Sequence, residues 1–102
     1  MPSAKDICPT YELVAASQTA QIMGVAGAKG DYLSHVIFQP TAVGAGTCTI
    51  LDGATVIFTY TTGTLADLRP IIVPVNLRAT TAAGWKITTG ASMTAAAYGM
   101  FS

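Results

Sequence analysis

Residues 47–61 read Thr-Cys-Thr-Ile-Leu-Asp-Gly-Ala-Thr-Val-Ile-Phe-Thr-Tyr-Thr. The run is rich in β-branched and aromatic residues and is broken once, by Asp52-Gly53. Asp-Gly between two such runs signals a β-hairpin, because a type I′ turn needs φ > 0 at both central positions and these residues tolerate it. A turn centred there pairs Leu51 with Ala54, Ile50 with Thr55, Thr49 with Val56, Cys48 with Ile57 and Thr47 with Phe58. One face then carries Leu51, Ala54, Val56 and Phe58, and the other Ile50, Cys48 and Ile57. A hairpin with water on one side is apolar on one face only. This register makes both faces apolar and predicts a cover for the second.

Outward from the hairpin the pattern stays extended. Thr19 to Val25 reads as a strand, and Gly24, Gly27 and Gly30 then mark a turn. Asp31 to Gln39 alternates Tyr32, Ser34, Val36 and Phe38 on one face with Leu33, His35, Ile37 and Gln39 on the other. Pro70 to Leu77 alternates too, and Pro74 makes it an edge strand or a bulge, since proline cannot donate to the ladder. Gly84 to Thr89 is a short strand with Trp85 and Ile87 on one face. Met93 to Phe101 closes the chain, with the small residues Ala95, Ala97 and Gly99 on one face. About seven strands with turn signals every 8–12 residues or so predict one small antiparallel β-sandwich, residues 18–102. Residues 1–17, with Ile7, Tyr11, Leu13 and Val14 and no clear period, read as an N-terminal arm; Leu13 to Ala20 allows a short helical turn.

Composition narrows the function. The 102 residues are 51% hydrophobic and 10% charged, against about 25% charged in ordinary domains. Five basic and five acidic residues leave no net charge, and a near-neutral monomer tends to associate. The basic residues Lys5, Lys29, Arg69, Arg78 and Lys86 are scattered, which argues against a nucleic-acid groove. Neither a signal-peptide core nor the roughly 18 apolar residues of a membrane helix is present. The expectation is a chain made and used without secretion, with Cys8 and Cys48 as free thiols.

Catalytic groups are scarce. His35 is the only histidine, and strict alternation points it and Ser34 to opposite faces, where they cannot pair. The carboxylates Asp6, Glu12, Asp31, Asp52 and Asp67 are spread out, and one histidine with two distant cysteines is a poor metal set. The segment Gly24-Val-Ala-Gly-Ala-Lys-Gly-Asp31 has the glycines of a phosphate loop, but it ends Ala-Lys-Gly-Asp where a Walker loop has Gly-Lys followed by Ser or Thr, and a strand follows where it has a helix. No enzyme, cofactor or metal is expected.

Several stretches in order carry a resemblance: Gly30-Asp31-Tyr32-Leu33 leading a strand, Leu51-Asp52-Gly53 at a hairpin, and a strand led by Pro70. Gly84-Trp-Lys-Ile-Thr-Thr-Gly90 and an Ala-rich last strand ending Tyr98-Gly-Met-Phe101 complete it. From Gly27 onward the chain resembles small virion proteins of tailed bacteriophages, the capsid decoration (cement) proteins and related head proteins. The resemblance implies a jelly-roll-like subunit, most often a homotrimer. Such a subunit is assembled in the host bacterial cytoplasm and binds the major capsid protein on the outside of the head. Neither nucleic acid nor membrane is an expected partner. Ile7 and Tyr11 of the arm, with Leu65 and Leu68 of a loop, are the expected partner contacts. The alternative is a head- or tail-fibre module that binds a host-surface glycan through Trp85 or Tyr60; a small hydrolase would need His35 in a cleft.

Overall fold

A computed structural model describes residues 10–42, 46–62 and 68–102. Eight strands form: β1 (Thr10–Val14), β2 (Gln21–Ile22), β3 (Tyr32–Pro40), β4 (Gly46–Asp52), β5 (Thr55–Thr62), β6 (Ile71–Arg78), β7 (Trp85–Thr88) and β8 (Met93–Met100). They make two four-stranded antiparallel sheets, and there is no helix among the described residues. Sheet I has the order β1-β8-β3-β6 and sheet II the order β2-β7-β4-β5. From β2 onward the chain changes sheet at every connection except the β4–β5 hairpin. The fold is a small all-β sandwich, as the turn spacing predicts.

The inner faces of β7 and β8 follow the alternation, and in β3 a bulge after Leu33 brings it to the same side as Val36 and Phe38. Val14, Leu33, Val36, Phe38, Val73, Met93, Ala95 and Ala97 from sheet I meet Cys48, Ile50, Trp85 and Ile87 from sheet II in one buried cluster. Removing each large side chain from water contributes roughly 1.5–3 kcal/mol. The small residues of β8 let neighbouring layers approach. A Cβ added at Gly99 would lie 2.0 Å from the Tyr32 carbonyl oxygen, so only glycine fits there.

The hairpin is where the prediction needs correcting. Asp52 pairs with Thr55, so the two-residue loop is Gly53-Ala54, one step later than expected. Gly53 takes φ 63° while Ala54 stays at negative φ, the type II′ arrangement with glycine first. The ladder then slips between Ile50 and Leu51: Leu51 faces Val56, Ile50 faces Phe58, and Ile57 is the extra residue of a bulge. Phe58 and Tyr60 therefore join Ile50 and Cys48 on the core side, where both pack against the cluster. The other face holds the Thr49–Thr59 and Thr47–Thr61 pairs, with Leu51 and Val56 next to the turn. It needs no cover along most of its length, because threonine is at home on a solvated sheet.

The expected arm also changes. Residues 10–14 of it are β1, paired with β8 from Thr10–Gly99 to Val14–Ala95; residues 15–17 lead out of that strand, and residues 1–9 lie outside the described residues. No helical turn forms at 13–20: Ser17 and Ala20 both take positive φ and steer the chain from sheet I into the short β2. The expected strand at Thr19–Val25 shrinks to Gln21–Ile22 because glycine-rich residues 24–30 fold into a loop. β6 is an edge strand, as Pro74 requires.

Candidate interaction face

Strand pairing assembles the outer face of sheet I in rows. Tyr11 of β1 pairs with Tyr98 of β8, Tyr98 with His35 of β3, and His35 with Pro74 of β6. The next row runs Leu13, Ala96, Ile37 and Ile72. Paired residues share a face, so both rows point away from the core. Tyr11 is 65% exposed, Leu13 68% and Ile72 62%. The rings pack on one another: His35 stacks on Tyr98 with centroids 4.5 Å apart, and Tyr11 tilts against Tyr98 at 6.1 Å.

Along the second row, from Tyr98 on one side to Thr94 and Gln39 on the other, the side chains leave a shallow apolar groove of ≈ 500 Å³ walled by Leu13 and Ile37 and floored by Ala96. The small side chains of β8 create it, since Ala96 is flanked by the bulkier Leu13 and Ile37 in the same row. Neither row carries a formal charge. Arg78 lies at one end of the sheet, its guanidinium 5.9 Å from the Tyr32 ring. The carboxylate of Glu12, between Tyr11 and Leu13, instead accepts from Gly24 N–H at 2.7 Å and from the Gln21 side chain at 3.0 Å. Exposed apolar patches of this kind occur more often at surfaces that meet a partner than elsewhere on a protein.

Two of the four expected contact residues have a place in this description. Tyr11 lies in the first row of the face, and Leu68 is half exposed, its carbonyl accepting from the Gln39 side chain at 2.9 Å. Ile7 and Leu65 lie outside the described residues. Leu13, Ile72, Pro74 and Tyr98 are members of the face that the sequence reading missed. The i, i+2 spacing of Tyr11 and Leu13 was the available signal, since it is a strand period.

The chemistry-bearing groups are positioned as follows. Ser34 and His35 do meet, with Oγ and Nδ1 3.1 Å apart, because Ser34 is a bulge residue between the Leu33–Gly99 and His35–Tyr98 pairs. The bulge overturns the strict alternation assumed from sequence. Among the described residues no carboxylate hydrogen-bonds the imidazole to complete a relay, and no three His, Cys, Asp or Glu side chains converge on a metal position. Trp85 is buried and donates its indole N–H to the Asp31 carbonyl at 2.9 Å. It cannot serve as a sugar platform. Tyr60 is half-buried, near parallel to the core ring of Phe38. Cys48 is a free, buried thiol whose pKa burial raises, only partly offset by a hydrogen bond with the Gly90 backbone.

No protein-family model, curated protein or solved structure matches this chain.

Proposed function

We propose that this chain is a structural virion protein, a capsid decoration (cement) subunit that self-associates, as a trimer, on the outer surface of a phage head and stabilises the lattice of the major capsid protein. The observation that carries the reading is the uncharged apolar outer face of sheet I, with Tyr11, Leu13 and Ile72 more than half exposed. Four strands about 4.8 Å apart and from roughly 17 to 30 Å long give a flat footprint on the order of 500 Å². Doubled across a contact, that is at the low end of specific interfaces, which start near 1,000 Å² in total. One such contact is weak; repetition by symmetry across a lattice makes it hold. Low charge suits this role, because a near-neutral face meets no long-range repulsion from its own copies.

The test is to mix purified chain with expanded heads that lack it and to sediment the mixture, alongside sedimentation equilibrium of the chain alone. Saturable co-sedimentation with a self-associating chain supports the reading. A chain that stays monomeric at high concentration and fails to bind heads removes it.

A further inference from the structure

Each sheet has two edges, and three of the four are blunted. β6 carries Pro74, which has no N–H to offer, and Asn76 at φ 54°, which breaks its extended run. β2 is two residues long, and β1 is five with the charged Glu12 at its centre. β5 has none of these devices. Its residues, Thr-Val-Ile-Phe-Thr-Tyr-Thr-Thr, are uncharged, include no proline or glycine and are all good strand formers. It ends sheet II, so every second residue turns its backbone N–H and C=O away from β4. Among the described residues no hydrogen bond reaches the outward groups of residues 55–61.

β1 and β2 flank one side of the sandwich, joined by the Glu12–Gln21 hydrogen bond at 3.0 Å, which leaves β5 and β6 on the other. There the interior is incompletely closed: Phe58 and Tyr60 of β5 and Ile71 and Val75 of β6 pack on the core cluster yet stay partly exposed. We propose that β5 is a dimer edge. It pairs antiparallel with β5 of a second copy of this chain, about a two-fold axis at Thr59, and joins two copies of sheet II into one continuous sheet. The strand is self-complementary in that register. Thr59 faces Thr59 and Phe58 faces Tyr60 twice, both pair types that stabilise neighbouring strands. Residues 56–62 all find a partner, and no charge falls opposite another. The contact is about 23 Å long and, over both layers, about 15 Å deep, roughly 350 Å² per copy. Doubled, that falls short of the ~1,000 Å² at which specific interfaces begin, so the pair forms at high concentration or where other contacts hold copies close. A two-fold pair consumes both free edges, so it closes instead of growing into a fibre. The contact is separate from the outer face of sheet I and does not rest on the virion reading.

The test is disulfide trapping in a Cys8→Ser background, where the buried Cys48 stays out of reach. Thr59→Cys and Ile57→Cys each place a thiol at an exposed position of the same strand. The two thiols at position 59 lie on the axis, with Cα atoms about 4.5–5.5 Å apart and inside disulfide reach. The two at position 57 are about 13 Å apart and outside it. At about 1 mM chain, where millimolar contacts are populated, Thr59→Cys is expected to link into dimers roughly tenfold faster than Ile57→Cys, or more. Mixing Ile57→Cys with Thr61→Cys should restore linking, because those positions face each other in this register. In the unsubstituted chain the outward amides of β5 should exchange more slowly at that concentration than after roughly hundredfold dilution. Equal trapping of Thr59→Cys and Ile57→Cys, or β5 exchange independent of concentration, would overturn the proposal and leave the edge to a strand of a different protein.

Discussion

The carboxylate of Asp52 holds Thr80 by two bonds, accepting from its backbone N–H at 2.9 Å and from its hydroxyl at 2.6 Å, both on Oδ2. Oδ1 accepts the same pair of donors from Thr81, at 3.2 and 2.9 Å. One side chain at the end of β4 thus ties the hairpin to the loop before β7. The turn beside it is locked the same way: Gly53 donates to the Gly84 carbonyl, and a Cβ at Gly53 would meet the Thr81 hydroxyl at 2.5 Å.

This clamp predicts an acid-dependent stability. Burial pushes the Asp52 pKa up, but the four hydrogen bonds outweigh it and hold the carboxyl below its ordinary 3.8. A carboxyl whose folded pKa is depressed contributes stability that is present above the unfolded value and is lost as pH falls through the folded one. Asp52→Asn should cost about 2–4 kcal/mol at neutral pH, given that hydrogen bonds to a charged group contribute about 1.5–3 kcal/mol each and asparagine keeps only part of them. Urea unfolding from pH 7 to pH 2 checks it: the gap between the two proteins should be constant near neutrality and narrow below about pH 4.

Gly99 should be intolerant of alanine. A methyl there would lie 2.0 Å from the Tyr32 carbonyl oxygen and 3.0 Å from the Phe101 ring, so the central β3–β8 pair would have to spread. A loss of about 2–4 kcal/mol is expected in chemical denaturation, in the range of overpacking combined with broken ladder bonds. By contrast, a Cβ at Gly30 meets nothing within 4 Å, and only its φ of +90° opposes substitution. Gly30→Ala should therefore cost less, on the order of 1 kcal/mol.

Cys48 should be inert in the folded protein. It is fully buried with its thiol pKa raised, and the thiolate is the reactive species. A thiol reagent at pH 8 should modify it only at the rate of global unfolding, and should modify it at once in denaturant. Rapid modification in native buffer would show that the interior between the sheets opens locally.

The outer face of sheet I should separate assembly from folding. Leu13→Thr and Ile72→Thr exchange exposed apolar side chains for residues with good strand propensity. Each should shift monomer stability by less than about 0.5 kcal/mol. Together they should weaken self-association and head binding roughly tenfold or more, measured by sedimentation. Unchanged binding in the double variant would move the contact off this face.

Much of the fold was legible in the sequence, because a strand buried on one side must alternate. The inner residues of β7 and β8 are those the alternation picks out, and Pro74 marks an edge strand by its missing donor. In β3 the bulge at Ser34 instead puts Leu33 on the same side as Val36 and Phe38. The interaction face was legible only in part. Tyr11 could be chosen by exposure and type, but its neighbours in the row come from β3, β6 and β8, 24 to 87 residues away along the chain.

Sequence determined the composition of each strand, the place of the hairpin within one residue, and the low charge that favours contact. Tertiary structure alone decided three things. The bulges at Ser34 and Ile57 shift the side-chain alternation beyond them, and they exist because each strand must satisfy partners on other strands as well as its own alternation. One end of the sandwich is closed by Asp31 and Asp52 on groups 71 and 28 residues distant, which no local pattern encodes. The loop at 24–27 has glycines that a phosphate loop would share, and its backbone N–H groups instead hold the Ser102 oxygen lying against it. In each case the deciding contact is long-range, and a one-dimensional pattern records a residue's own preferences without its partner.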